Sequence, residues 1–213
     1  MPSRHRSMLP RPFSIFNAHP EKGELSFFIE IKGPGTSMLA AAKKHDSWLL
    51  LGPLGNGFPA MPEGSLLVAG GVGIAPLVFL AASTEKERVL IYGAPTASLL
   101  TCPSGDLDLP GLTVLEATED GSRGEKGTAL DLLAGKIKKA SAIFSCGPCG
   151  MLAAVKHLGS RYGIPAWVSV EEQMACGIGA CVGCVINTTK GYRRVCRDGP
   201  VFPVEEVVFD EQG

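Results

Sequence analysis

The stretch LLVAGGVGIAPLVFL, residues 66–80, changes character twice: an apolar run gives way to three glycines in four positions, and these to a second apolar run that carries Pro76. Continuous apolar residues ahead of a glycine turn read as a strand buried on both faces. Proline is tolerated in the first turn of a helix, so Pro76 places a helix start close to Ile74. Gly70, Gly71 and Gly73 would let backbone come close to a phosphate at that turn. The stretch is not the G-x-G-x-x-G fingerprint, since position 76 is Pro. A tight strand-to-helix connection without ligand is the plainer alternative; the place of the turn in the first strand–helix unit favours ligand binding.

The alternation continues downstream. ERVLIYGA, LTVLEAT, SAIFSC and AWVSV read as apolar strands, and TASLL, TALDLLAGKIKKA and GMLAAVKHLGSRYG as the helical stretches between them. Strands separated by helices imply a doubly wound parallel sheet covered on both faces, over about residues 64–170. Upstream, LSFFIEI at 25–31 and SWLLL at 47–51 read as strands, with a turn at GPGT and a short amphipathic stretch, SMLAAAKKH, between them. Residues 1–63 are therefore β-rich and loop-rich. After Glu171 the regular signals give way to short Gly- and Cys-rich loops, setting 171–213 apart.

Composition narrows the function classes. With 20 basic and 21 acidic side chains in 213 residues the net charge is -1, with no like-charge block, so the sequence carries no electrostatic footprint of nucleic-acid binding. No apolar run reaches the ~20 residues of a membrane helix. The start, MPSRHRSMLP, lacks the apolar core of a secretory signal. Seven cysteines, four of them crowded near the carboxyl end, suit a metal or redox centre in a reducing, cytoplasmic compartment better than a disulfide framework.

Those four are spaced Cys176-x4-Cys181-x2-Cys184-x11-Cys196. C-x4-C-x2-C with a distal fourth cysteine is the plant-type ligand pattern for a 2Fe-2S cluster. Gly177, Gly179 and Gly183 permit the tight turns that bring thiolates together and free backbone N–H groups to face sulfur. Zinc is the competing reading, but zinc ligands usually come as two short pairs. Arg193, Arg194 and Arg197 flank Cys196, where positive charge would offset an anionic cluster; a solvated basic turn is the alternative.

Cys146-Gly147-Pro148-Cys149 follows a strand and opens a helix, the setting of a thioredoxin-like dithiol. It lies on a late strand–helix turn of a nucleotide-type sheet, so the plainer account is a tight turn whose Gly147 and Pro148 start a helix facing a ligand at the sheet's carboxyl edge. Cys149 and Cys102 have no assigned role.

RPFS at 11–14, GT at 35–36, GPLGNGF at 52–58, GGVGIAP at 70–76, TEDGSRGEKG at 118–127, CGPCGML at 146–152 and EEQMACGIGACVGC with RRVCRDGPVF resemble, in that order, the electron-transfer subunit of type B dihydroorotate dehydrogenase, in the ferredoxin-reductase superfamily. The resemblance covers nearly the whole chain. It implies an α/β plus β fold in three parts: a partial flavin-binding β-barrel at 1–63, an NAD-binding domain at 64–170 and a 2Fe-2S domain at 171–213. Only ten residues precede RPFS, so the resemblance implies a barrel without its first strands.

By that resemblance Arg11, with Pro12, would meet the FAD diphosphate. Phe13 and Ser14 would lie against the flavin, Phe28, Ile29 and Glu30 would line the same site, and Gly35 and Thr36 would bind phosphates. The family usually offers an arginine where this chain has Glu30. Gly71, Gly73, Ile74, Ala75 and Pro76 would look toward the NADH diphosphate, Asp120 would border the adenosine, and Cys146, with Gly147 and Pro148, would approach the nicotinamide as the catalytic residue. Cys176, Cys181, Cys184 and Cys196 would hold the cluster. The implied activity is an oxidoreductase relay of electrons between NAD(H), FAD and the cluster and a partner FMN-containing subunit that interconverts dihydroorotate and orotate in pyrimidine biosynthesis, in a hetero-oligomer. Another NAD(P)-linked flavin/iron–sulfur subunit, of a ferredoxin:NADP oxidoreductase or a hydrogenase, and a non-catalytic metal- or redox-sensing module are the alternatives.

Overall fold

The computed structural model describes residues 9–100, 102 and 107–209. The amino-terminal octet, on which the expectation of no secretory signal rests, lies outside the described residues. The described chain opens on an antiparallel hairpin, β1 (Ile15–His19) and β2 (Glu24–Phe27), followed by the short helix α1 (Pro34–Ala40). Next come β3 (Ser65–Gly70), α2 (Ile74–Ala81), β4 (Arg88–Ala94), β5 (Leu112–Thr118) and β6 (Glu125–Lys126). They lead to α3 (Ala129–Lys136), β7 (Ile143–Cys146), α4 (Cys149–Tyr162) and β8 (Ala166–Ser169). The carboxyl-terminal part holds β9 (Val185–Ile186), β10 (Arg193–Arg194), α5 (Val195–Asp198) and β11 (Val201–Pro203).

Seven strands form one sheet in the order β11-β8-β7-β3-β4-β5-β6, parallel throughout except for β11, which runs antiparallel to β8. The chain starts the sheet at β3, builds outward through β4 and β5, then returns to the other side of β3 for β7 and β8. The order reverses at the carboxyl ends of β3 and β7, the switch point at which doubly wound sheets bind ligands in a crevice. Because strand side chains alternate, Leu66 and Val68 enter one core with Ile143, Val168 and helices α3 and α4, while Leu67 and Ala69 enter another with Tyr92, Phe144 and helix α2. Phe16, Phe28 and Phe58, from the amino-terminal part, pack on the α2 side. Cys184, Val195, Cys196 and Phe202 belong to the core on the opposite face. Among the described residues, no helix is long and apolar enough to cross a membrane.

The amino-terminal part departs from the expected strands. β2 ends at Phe27, four residues short of the 25–31 reading, and 47–51 form no strand: Trp48, Leu49, Leu50 and Leu51 are 49–101% exposed. A strand needs a neighbour to accept its ladder hydrogen bonds. Among the described residues the strand pairing in this part is the β1–β2 hairpin, beside one isolated bridge from Asn56 to Pro200, and no closed barrel is formed. The amphipathic stretch at 37–45 is helical only at its start, within α1, which begins at Pro34 and ends at Ala40. TASLL forms only a 3-10 turn at Ala97–Leu99.

Candidate functional site

The four cysteines of the carboxyl-terminal loops lie as two pairs. The Cys176 thiol neighbours that of Cys181, and the Cys196 thiol neighbours that of Cys184 and feels the charge of Cys176 across the gap. The chain reaches this arrangement through left-handed backbone at Gly177 (φ 71°) and Gly179 (φ 80°), where glycine carries no Cβ penalty. The turns aim amides at sulfur. Gly179 N–H donates to Cys196 Sγ at 3.1 Å, Ala180 and Cys181 N–H donate to Cys176 Sγ at 3.3 and 3.4 Å, and Cys196 N–H donates to Cys184 Sγ at 3.4 Å. Arg194 ties the loop to α5: its guanidinium donates to Gly179 O at 3.0 Å and to Asp198 Oδ2 at 3.4 Å.

Burial separates the pairs. Cys184 and Cys196 are buried at 2% and 6% exposure, Cys176 is half-buried and Cys181 exposed. Hydrogen bonds from the Cys181 and Ile178 amides hold the Cys176 thiol down at about 6, whereas burial pushes the Cys196 thiol up. Among the described residues no group of three or more Cys, His, Asp or Glu side chains is placed to hold a metal ion. Two thiol pairs, with N–H groups directed at sulfur, fit the donor set of a two-iron core gripped from two sides.

The second group of residues rims the crevice at the carboxyl ends of β3 and β7. Gly73 is buried, and a Cβ there would run into the Cys146 carbonyl. At Gly147 (φ 157°) a Cβ would press on Gly70 backbone and Met151. The two turns thus meet backbone to backbone, while Gly71 (φ 54°) faces open space. Ile74 and Ala75, expected at the ligand, are buried, Ile74 within the α2 core, and Pro76 is half-buried. Pro148 precedes α4 and accepts the amides of Met151 and Leu152. Cys146 is 1% exposed; burial, then the Glu171 charge, push its thiol up to about 12. It is a neutral thiol, with Cys149 exposed at the start of α4 and both cysteines free. That state does not support a reactive dithiol.

Beyond β5, Asp120 accepts from Ser122 N–H at 2.9 Å and Ser122 Oγ at 2.6 Å, which lowers its carboxyl below the ordinary range. Ser122 Oγ in turn accepts from Ala97 N–H at 2.8 Å, so this loop is held at the same edge of the sheet.

Of the residues expected at the flavin, Arg11 and Gly35 meet: a Cβ on Gly35 would collide with the Arg11 guanidinium. A guanidinium beside a bare helix start suits a diphosphate. The Thr36 hydroxyl accepts from Lys32 and Gly33 N–H at 2.9 and 3.1 Å and donates to Gly33 O, so it shapes the turn rather than reaching out of it. Phe13 packs on Phe27 at 6.4 Å between ring centres and Phe28 on Phe16 at 6.0 Å. Pro12 and Ser14 are exposed, Ile29 is half-buried, and Glu30 pairs with Lys32 at 3.1 Å on the surface. Sequence reasoning passed over Ser169, which hydrogen-bonds Cys146, and Asn56, which reaches the cluster loops from GPLGNGF. The motif was visible; its contact was not.

A family model described as the iron–sulfur cluster binding domain of dihydroorotate dehydrogenase B matches residues 171–208. Electron transfer subunits of dihydroorotate dehydrogenase B (NAD(+)) are similar along nearly the whole chain. That of Caldanaerobacter subterraneus subsp. tengcongensis is 38% identical over 96% of this chain and 83% of its own length. That of Shouchella clausii is 39% identical over 95% and 81%. Among solved structures, the NADH-dependent reduced ferredoxin-NADP oxidoreductase superimposes with a TM-score of 0.81 and 30% identity, over 94% of this chain and 75% of that one. The ferredoxin reductase in carbazole 1,9a-dioxygenase shares the fold, with a TM-score of 0.57 and 22% identity over 72% and 52%.

Proposed function

The chain belongs to the electron transfer subunits of dihydroorotate dehydrogenase B, and from that membership we propose that it relays electrons between NAD(H), FAD and a 2Fe-2S cluster and a catalytic partner subunit. The observation that carries the reading is the cysteine centre, two thiol pairs with backbone N–H groups directed at sulfur, inside the segment matched by the cluster-binding model. When bound, the nicotinamide, flavin and cluster supply the redox chemistry, and the protein binds, orients and shields them.

Cys176, Cys181, Cys184 and Cys196 are the proposed cluster ligands. Amides donating to Cys196 and Cys184 would stabilise negative charge on the buried sulfurs, and the exposed Cys181 side is where electrons would pass outward. The turn at Gly71 and Gly73 would bind the NAD(H) diphosphate through backbone, with Asp120 at the adenosine side. Cys146, kept as a neutral thiol, would offer an S–H donor or an apolar contact rather than a nucleophile. Arg11 and Gly35 would hold the FAD diphosphate. The three-part division at residues 63 and 170 is proposed with these roles.

The partner is proposed to carry FMN and the dihydroorotate site in a hetero-oligomer, in the cytoplasm. A second reading, a subunit of another NAD(P)-linked flavin/iron–sulfur oxidoreductase, is favoured by the likeness to the ferredoxin-NADP oxidoreductase. Anaerobic purification with the FMN-containing partner tests both: bound iron, acid-labile sulfide and flavin, with dihydroorotate-dependent reduction of NAD, are expected. A single zinc ion per chain would remove the relay; cluster and flavin without response to dihydroorotate would favour the second reading.

A further inference from the structure

The segment 54–58 makes two anchors two residues apart. Asn56 N–H donates to Gly199 O at 2.6 Å, and its side-chain Nδ2 donates to Arg197 O at 3.0 Å and Asp198 O at 3.2 Å. Those carbonyls end α5, the helix carrying Cys196, where no further turn supplies amide donors. Gly55, at φ 72°, is wedged so tightly that a Cβ would collide with the Gly199 carbonyl and Pro200. Two residues on, Phe58 sets its ring edge-on against Phe144 at 5.8 Å, and Phe144 stacks on Trp167 at 5.4 Å. Phe144 lies on β7 two residues before Cys146. One short loop therefore grips both the helix bearing a cluster cysteine and the strand that ends at the nucleotide crevice.

We propose that Asn56 is a positioning residue that fixes Cys196 against the nucleotide-binding sheet by capping α5 across 141 residues of sequence. The inference rests on the cluster reading for its consequence, but not for its geometry. The chemistry is specific to a side-chain amide: one nitrogen with two hydrogens reaches two carbonyls. Aspartate has the same shape and turns acceptors toward acceptors; alanine offers nothing. A relay depends on reacting centres held in fixed positions, so an α5 free to shift would loosen that geometry.

The test uses the full chain purified anaerobically with its partner, as wild type, Asn56→Ala and Asn56→Asp. Amide hydrogen exchange is read at 195–199 against 66–69, together with the rate of iron loss to a chelator. Loss of two ordinary hydrogen bonds predicts roughly tenfold faster exchange at 195–199, with 66–69 unchanged. Iron loss should accelerate severalfold, with Asn56→Asp at least as impaired as Asn56→Ala despite its matching shape. Unchanged exchange in either variant, unchanged iron loss, or an aspartate that fully substitutes would overturn the proposal. If the wild type holds no iron and sulfide, the proposed function falls, while the exchange comparison still decides whether Asn56 holds α5.

Discussion

Cys146 and Cys149 sit three positions apart in opposite environments, one buried with its thiol pushed up to about 12 and the other exposed at a helix start. In the native chain at about pH 8, iodoacetamide should modify Cys149 and spare Cys146; equal labelling, read by mass spectrometry, would contradict the buried-thiol assignment. Gly73 and Gly71 separate in the same way. Gly73→Ala drives a Cβ into the Cys146 carbonyl, and backbone cannot rotate aside, so a loss of about 1–3 kcal/mol is expected by urea unfolding. Gly71→Ala meets open space and suffers only the left-handed strain of about 1–2 kcal/mol. Val182 carries that strain in the native chain, as a β-branched residue at φ 57° between Cys181 and Cys184. Val182→Gly should therefore leave stability level or raise it by up to about 1 kcal/mol, whereas Gly179→Ala, at φ 80°, should lower it.

Helix α3 shows how an element is closed by its own sequence. Thr128 accepts from Asp131 N–H at 3.3 Å while the Asp131 carboxylate accepts from Thr128 N–H at 2.7 Å. Thr128→Ala should cost about 1 kcal/mol in thermal or urea unfolding. Donation from Thr128 N–H, and from the Thr128 hydroxyl at 2.8 Å, holds the Asp131 carboxyl below its ordinary range. A carboxyl depressed in the folded state contributes stability above the unfolded-state pKa and loses it as pH falls through the lower folded value. Thr128→Ala keeps the backbone bond to the carboxylate and loses the hydroxyl bond, so wild type should lose only part of its advantage over the variant on acidification below the ordinary carboxylate range. Capping signals of this kind are local and legible from the chain. The strand expected at 47–51 failed for the opposite reason: Leu49 is apolar enough for a core but fully exposed, and no strand among the described residues pairs with it.

The carboxyl-terminal segment is not an appendage. β11 closes the sheet against β8, and Cys184, Val195, Cys196 and Phe202 share a core with Leu152, Val155 and Val168. Unfolding of the cluster segment and of the nucleotide sheet should coincide when followed by cluster absorbance and by far-ultraviolet dichroism. Phe202→Ala, which empties a buried ring site at this junction, should cost about 3–5 kcal/mol and shift both signals together. A lower midpoint for the cluster signal alone would show two independent units.

The strand–helix alternation was readable from apolar runs and glycine turns because burial periodicity is written residue by residue, and ligand chemistry was readable from thiol spacing because a C-x4-C-x2-C loop needs only its own turns. Packing between distant segments decided the rest. It buried Cys184 and Cys196 while leaving Cys181 exposed, brought β11 back to β8, and set Asn56 on the carbonyls of α5. Those contacts join residues separated by tens to more than a hundred positions, and no local pattern encodes which surfaces will meet once the chain has collapsed.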